Sequence, residues 1–108
     1  MADKHSVVED LEYIEQHTDT LDVLVALAEE ASELSKAALK YARALKLVNH
    51  PTPVCKEVAL ENLNEEIVDV EVVLRVAHSK KIIRPTCCFS EKVNRWASRL
   101  REAVYHGN

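Results

Sequence analysis

Glycine is almost absent from this chain of 108 residues, and that scarcity limits the possible folds more than any other feature. The one glycine, Gly107, stands next to the C-terminal residue. Phosphate-cradling loops and hairpins of the Asn-Gly or Asp-Gly type need backbone conformations that residues with a Cβ adopt only at a cost. The sequence therefore excludes a P-loop, a dinucleotide fingerprint and such hairpins, and it predicts an all-α fold.

Length, charge and cysteine content narrow the class of protein. The apolar fraction of 47% is enough for one core, so residues 1–108 are predicted to form a single domain. The net charge is −4 and no basic cluster occurs, so no nucleic acid partner is expected. No run of 18 apolar residues and no signal peptide appears, and three cysteines cannot form a disulfide framework. We expect a cytoplasmic protein without a membrane segment.

Capping signals and uninterrupted stretches predict two helices in the first half of the chain. Ser6 and Glu9 form a capping box that opens a helix of about ten residues. The chain then turns and caps again at residues 18–20. A long helix is predicted from Leu21 to about Val48, because neither glycine nor proline interrupts it.

Two further helices are predicted in the second half. Thr52 is a suitable N-cap and Pro53 a suitable first helical residue for a second long helix, which runs to about Ser79. An irregular segment of about ten residues follows, and Ser90 then caps a last helix that ends near Tyr105. The short break between the two long helices predicts that they pack as antiparallel neighbours.

A carboxylate occupies the centre of the apolar face of the first long helix. At about 100° per residue, Glu33 lies about 60° and Glu29 about 100° to one side of Glu30. Six largely apolar positions lie within about 60° of Glu30 by the same arithmetic, namely Val23, Leu27, Leu34, Ala37, Tyr41 and Leu45. Glu30 is therefore predicted to face the interior of the protein.

The second long helix repeats this pattern around Glu66, with Asp69 about 60° to one side. The apolar positions within about 60° of Glu66 are Ala59, Leu63, Val70, Val73 and Ala77. Two pairs of acids on facing helices repel each other, and no basic residue shares their directions; Lys40, about 80° away, is the nearest. Hard oxygen donors without histidine or thiolate indicate magnesium or manganese and a phosphorylated substrate. The alternative is an acidic face exposed to solvent.

The segments Glu29-Glu30-Ala31-Ser32-Glu33 and Glu66-Ile67-Val68-Asp69 resemble the EExxE and ExxD motifs of the MazG-like all-α nucleotide pyrophosphohydrolases. The resemblance covers residues 21–79. It implies a magnesium-dependent enzyme that releases a nucleoside monophosphate and pyrophosphate from a nucleoside triphosphate and limits surplus or non-standard nucleotides. It also implies a homodimer or homotetramer whose long helices complete a four-helix bundle.

The resemblance also assigns roles to individual acids. Glu30, Glu33, Glu66 and Asp69 would hold the metal, and Glu29 would be a further ligand or would orient the attacking water. Outside the motifs, four residues are weaker candidates for substrate binding: Lys40, Tyr41, Lys81 and Arg84. Lys81 and Arg84 equally suit a helix C-terminus, and Tyr41 equally suits packing.

Three alternatives stay open on the sequence alone, and one of them is a non-catalytic relative that keeps the metal site for structure or sensing. The same scaffold accommodates another phosphoanhydride, such as phosphoribosyl-ATP. A non-catalytic helical interaction module would use its apolar faces to bind a partner and leave the acids solvated. Trp96 fits core or interface packing in either case, or stacking on a base.

Overall fold

The computed structural model describes residues 4–46, 55–84 and 88–105, and within these ranges the regular structure is entirely helical. The four helices are α1 (Val7–His17), α2 (Thr20–Lys46), α3 (Lys56–Ser79) and α4 (Phe89–Tyr105). The predicted all-α class and the order of two short and two long helices are confirmed. In these ranges no helix has both the length and the apolarity needed to cross a bilayer.

Side-chain caps fix the start of α1 and the break before α2. The Ser6 hydroxyl accepts a hydrogen bond from the Glu9 N–H at 3.1 Å, and the Glu9 carboxylate accepts one from the Ser6 N–H at 3.0 Å. Asp19 and Asp22 form the same reciprocal arrangement, with distances of 2.7 and 2.9 Å. The predicted capping box and the predicted turn at residues 18–20 are therefore confirmed.

The starts of the last two helices differ from prediction. Helix α3 begins at Lys56 after an extended Cys55, while the predicted cap residues Thr52 and Pro53 lie outside the described residues. Helix α4 begins at Phe89, so the prediction of Ser90 as N-cap is wrong. The Cys88 carbonyl accepts the first hydrogen bonds of that helix, from N–H groups 3.1 and 3.3 Å away. These bonds place Cys88 at the N-cap position, and cysteine is not among the residues that mark the start of a helix in a sequence.

Helices α2 and α3 run antiparallel and form the main packing interface of the chain. Val23 near the start of α2 packs with Val76 and Ala77 near the end of α3, and Glu30 faces Glu66 and Asp69. Residue numbers on one helix rise as those on the other fall. This register brings the two acidic motifs together at the middle of the interface.

The apolar end of this interface is the best packed part of the molecule. Val23, Val76 and Ala77 are buried, and five partly buried side chains pack on them: Leu11, Ile14, Val73, Ile82 and Ile83. Lys80 secures α1 there, because its ammonium donates to the carbonyl oxygens of Glu15 and Thr18 at 2.7 and 2.6 Å. These contacts fix the ends of α1 and α3 and hence the helix that carries Glu66.

Helix α4 stands apart from this arrangement. Among the described residues, no Cα atom of α4 lies within 8 Å of a Cα atom in the other three helices. Trp96 on α4 is 67% exposed, so the interpretation of Trp96 as a core residue is wrong, whereas its interpretation as an interface residue stays a prediction.

Candidate metal centre

Three carboxylates meet at the middle of the α2–α3 interface. One oxygen each from Glu30, Glu66 and Asp69 lie within 4.8 Å of one another. Glu66 and Asp69 share a face of α3 because residues three apart on a helix are neighbours, and the antiparallel register places Glu30 opposite them. We call these three residues the acid cluster. The structure thus brings together three of the four acids that the sequence predicted as metal ligands.

The innermost oxygen of the cluster lacks a hydrogen-bond donor. Glu66 Oε2 is buried, and the described residues offer it no hydrogen-bond partner. Glu30 is also half-buried, whereas Asp69 is exposed. A buried carboxylate oxygen without a donor is costly, and native proteins usually satisfy such atoms with a protein group, water or an ion. The orphaned oxygen is therefore a position that a cation, a water molecule or a proton would satisfy.

The acid cluster has an excess of negative charge. Burial raises the pKa of the Glu66 carboxyl above its ordinary value, and the nearby carboxylates, with Asp69 and Glu30 foremost, raise it further. Within the described ranges, no lysine, arginine or histidine nitrogen lies within 4.0 Å of a carboxylate oxygen of the cluster. No basic side chain of the described part of the chain therefore neutralises this charge by direct contact.

Glu33, the fourth predicted ligand, lies beside the cluster rather than inside it. Its side chain is exposed and forms an ion pair with Lys36 at 3.5 Å. It nevertheless contributes to the raised pKa of Glu66, and it lines a groove that Glu66 also lines.

The groove beside the acids combines negative, positive and amide groups. It has a volume of about 370 Å³ and is open to solvent. Its lining residues are Glu33, Lys36, Ala37, Lys40, Ala59, Asn62 and Glu66. Two ammonium groups and an amide next to carboxylates suit a ligand that carries phosphates and a bound cation. The candidate Lys40 is therefore placed at the site.

Lys36 and Asn62 are groove residues that the sequence interpretation did not select. Asn62 lies one turn before Glu66 on the same face of α3, about 40° away at 100° per residue. That direction was a usable signal. Lys36 lies about 120° from Glu30 on α2, so its helical direction gave no reason to choose it.

The other candidates are not brought to the acid cluster. Glu29 is exposed on α2, and Tyr41 is half-buried but does not line the groove. Lys81 and Arg84 follow the far end of α3. Lys81 stands fifteen residues after Glu66, about 22 Å along the helix axis at 1.5 Å per residue. The role of Glu29 as a further ligand or as the group that orients the attacking water stays a prediction, and so does substrate binding by Tyr41, Lys81 and Arg84.

The donors of the acid cluster fit a hard divalent cation. Two oxygens on opposite sides of a magnesium ion are about 4.2 Å apart, twice the usual bond length of about 2.1 Å. The three carboxylate oxygens of the cluster lie within 4.8 Å of one another, close to this upper limit. Carboxylates without imidazole or thiolate select magnesium, manganese or calcium over softer metals. Glu30, Glu66 and Asp69 are the residues that would hold the ion.

No family model, curated protein or solved structure matches this chain. The resemblance to the MazG-like superfamily thus rests on the two acidic motifs and their placement. The function has to be argued from the residues of the site.

Proposed function

We propose that this protein is a magnesium-dependent nucleoside triphosphate pyrophosphohydrolase that limits surplus or non-standard nucleotides. The reaction adds water to the α-phosphorus and releases a nucleoside monophosphate and pyrophosphate. Manganese is the second metal that suits the same donors. The acid cluster, the groove beside it and the two acidic motifs support this proposal together.

The observation that carries the proposal is the orphaned Glu66 Oε2 inside a group of three carboxylates. Selection for stability alone favours an apolar side chain at such a position, because an unpaired buried carboxylate lowers stability. A side chain that persists at a cost to the fold is typical of a functional site. Because the donors are carboxylate oxygens, the ligand that would offset this loss of stability is a divalent cation.

The groove supports a substrate with several phosphates. When bound, a divalent cation offsets phosphate charge and lowers the pKa of a coordinated water. Lys36 and Lys40 supply ammonium groups that attract phosphate oxygens, and the Asn62 amide supplies a neutral donor. Glu33 is free to exchange its ion pair with Lys36 for a role at the cluster.

The proposal includes a homodimer or homotetramer in the cytoplasm. Exposed apolar side chains on the outer side of α3, Ile67, Val68 and Val72, support self-association. Two cysteines of the described residues, Cys55 and Cys88, are exposed free thiols, which supports a reducing compartment.

The test is product analysis with a panel of canonical and modified nucleoside triphosphates, together with phosphoribosyl-ATP. With magnesium, we expect monophosphate and pyrophosphate in equal amounts, and none with chelator. In ¹⁸O-labelled water, the label should enter the monophosphate, because the attack is at the α-phosphorus. Release of orthophosphate, or label in pyrophosphate, would contradict the proposed reaction.

A matched pair of variants ties the reaction to the acid cluster. Glu66→Gln removes the charge of a cluster member, and Glu71→Gln makes the same change at an exposed position of the same helix. If Glu66 holds the metal, Glu66→Gln removes several kcal/mol of stabilisation that the metal gives to the transition state. Such a loss corresponds to a rate decrease on the order of 10³-fold. We expect that decrease for Glu66→Gln and near wild-type turnover for Glu71→Gln, with unchanged helicity in both. Equal turnover in the two variants would place the chemistry elsewhere.

A helical interaction module is the second candidate, and the exposed apolar faces of α3 and α4 favour it. Thermal unfolding with and without magnesium or manganese separates the two functions. A metal site that binds only the folded chain raises the melting temperature, and Glu66→Gln should abolish this rise. No rise in the wild type, together with no turnover, would favour the interaction module.

A further inference from the structure

Helix α4 is strongly amphipathic, yet nothing in the described part of the chain covers its apolar face. The residues of this face, here called the α4 face, are Phe89, Val93, Trp96, Leu100 and Val104, and all are at least half exposed. An isolated helix of 17 residues is only marginally stable in water, so a helix of this kind normally depends on packing of its apolar face. The α4 face therefore requires a partner.

Charge distinguishes α4 from the other helices and narrows the identity of that partner. Four basic and two acidic residues give α4 a formal charge of +2, while the whole chain carries −4. Lys92, Arg95 and Arg99 lie within about 100° of Trp96, all on the same side of it. We call these three residues the basic row. The partner should present an apolar strip beside a row of acids.

The outer surface of α3 has this complementary pattern. Val68 and Val72 are 54% and 43% exposed, and they continue a row of exposed acids along the helix, formed by Glu57, Glu61 and Glu65. We call these acids the acidic row. Helix α3 as a whole carries six acidic and two basic residues, a formal charge of −4. Opposite charges beside matching apolar strips favour an α4–α3 contact.

The exposed area indicates that this contact is made between chains. The chain exposes 9180 Å², whereas a compact monomer of 12.2 kDa exposes about 6,100 Å² by the usual scaling. The radius of gyration is 18.8 Å, compared with about 13 Å for a compact domain of this length. The excess of about 3,000 Å² is larger than the roughly 1,000–2,500 Å² that each subunit buries in most obligate dimers, so contact with a second copy accounts for much of it.

We propose that α4 of one copy of this chain packs on the outer surface of α3 of a second copy. The α4 face covers Val68 and Val72, and the basic row lies along the acidic row of the partner. A two-fold axis makes the exchange reciprocal, so that each chain gives one α4 and receives one. This inference does not depend on the proposed hydrolysis, because its tests measure mass and fluorescence.

Trp96 is the only tryptophan in the chain, so intrinsic fluorescence reports on α4 directly. We expect blue-shifted emission at high protein concentration and a red shift on dilution, with the same midpoint as the change in mass by sedimentation. Red-shifted emission at every concentration, with a monomer mass, overturns the inference. Blue-shifted emission in a monomer also overturns it, because α4 then packs on its own chain.

Charge reversal tests the two rows. Arg95→Glu combined with Arg99→Glu should raise the dissociation constant of the dimer at least tenfold. Adding Glu61→Arg and Glu65→Arg to the same chain should restore association. Arg101→Glu is the control, because Arg101 lies about 140° from Trp96 on the other side of α4. Unchanged association after the double reversal, or failure of the compensating pair, contradicts the inference.

Cross-linking of mixed isotopic copies identifies the chain on which α4 packs. Carbodiimide should join Lys92 of one copy to Glu61 or Glu65 of a differently labelled copy. Cross-links confined to one isotope would place α4 on its own chain. Anionic phosphatidylglycerol vesicles provide the last comparison: a blue shift of Trp96 emission only when vesicles are added would overturn the inference in favour of a membrane surface.

Discussion

Two regions of the α2–α3 interface lie about 10 Å apart along the helices. The same two helices pack against each other in both, but the side chains of one region are apolar and those of the other are acidic. At the apolar end, Val23, Val76 and Ala77 are buried against one another. At the middle, Glu30, Glu66 and Asp69 face one another. The first region releases water from apolar surface on folding, whereas the second confines negative charges near a buried oxygen.

This contrast shows that a small chain divides stability and function within one interface. The apolar end supplies the free energy that holds the helices in register, and this register forces the acids together. The acid cluster opposes the packing that creates it until a cation or a proton reduces the charge. The two regions should therefore respond in opposite ways to mutation, pH and metal.

The largest effect on stability is expected at the apolar end. Ala77 is completely buried, so Ala77→Leu overfills the contact with Val23 and should lower the free energy of unfolding by about 1–3 kcal/mol. Ala42→Leu on α2 makes the same change at an exposed position and should have little effect. Chemical denaturation measures both variants. Comparable stability of the two would show that the apolar end does not hold the register.

A smaller effect, on binding rather than on folding, is expected at the groove. Lys40→Ala removes an ammonium group beside Glu66 and should raise KM for a nucleoside triphosphate about fivefold to tenfold, on the order of 1 kcal/mol. The melting temperature should hardly change. Lys46→Ala, in the last turn of α2 and away from the groove, is the control. If the two variants had the same KM, Lys40 would not contact the substrate.

A stabilising change is expected at the end of α3. Lys81 adopts φ of 61°, and the hydrogen bonds from Lys81 to His78 and from Ile82 to Ala77 form a Schellman motif, which favours glycine at this position. Lys81→Gly should raise stability by about 0.5–1 kcal/mol, whereas Ser79→Gly inside the helix should lower it. Turnover measured in parallel should stay unchanged. Reduced turnover for Lys81→Gly alone would support substrate binding by Lys81.

The smallest effect is expected from pH, because solvent reaches one side of the acid cluster. The pKa of Glu66 is raised in the folded chain, so the folded state favours the protonated form. The stability that the protonated Glu66 carboxyl adds to the folded state is complete at a pH below the pKa of the unfolded chain, near the ordinary value of 4.5. This stability is lost as the pH rises through the pKa of the folded chain.

With chelator present, the melting temperature of the wild type should fall as the pH rises, because this stability is lost. Glu66→Gln should flatten the dependence and be the more stable protein at neutral pH, while Glu71→Gln should keep the wild-type profile. With magnesium the wild type should gain stability and Glu66→Gln should not. Identical profiles for wild type and Glu66→Gln would show that Glu66 is not destabilised by its neighbours.

Much of the fold and part of the site followed from local patterns. The capping box at Ser6, the turn at residues 18–20 and the two long helices depend on side chains a few residues apart, which sequence reports directly. The directions of Glu30, Glu66 and Asp69 followed from helical periodicity in the same way. Glu33 was predicted as a ligand but lies beside the cluster, because its ion pair with Lys36 competes for the carboxylate.

Other features depend on the packing of distant segments. Lys36 enters the groove because α2 and α3 pack together there, and its direction on α2 does not reveal it, whereas Asn62 shares the direction of Glu66 on α3. The first hydrogen bonds of α4 are accepted by the Cys88 carbonyl, and this cysteine is exposed although cysteines are usually buried. Trp96 is a large aromatic residue of the kind that usually packs in a core or an interface, yet its side chain is exposed on α4.

Local sequence patterns were enough to predict that the chain is helical and that its acids lie on the apolar faces of two helices. The reason is that helix geometry is local: 3.6 residues per turn fixes every direction once the helix begins. The packing of distant segments was needed to show that Glu30 opposes Glu66 and Asp69, that a carboxylate oxygen of Glu66 is buried without a donor among the described residues, and that α4 stands apart from the other described helices. Those features depend on the register between helices, and long-range packing sets that register.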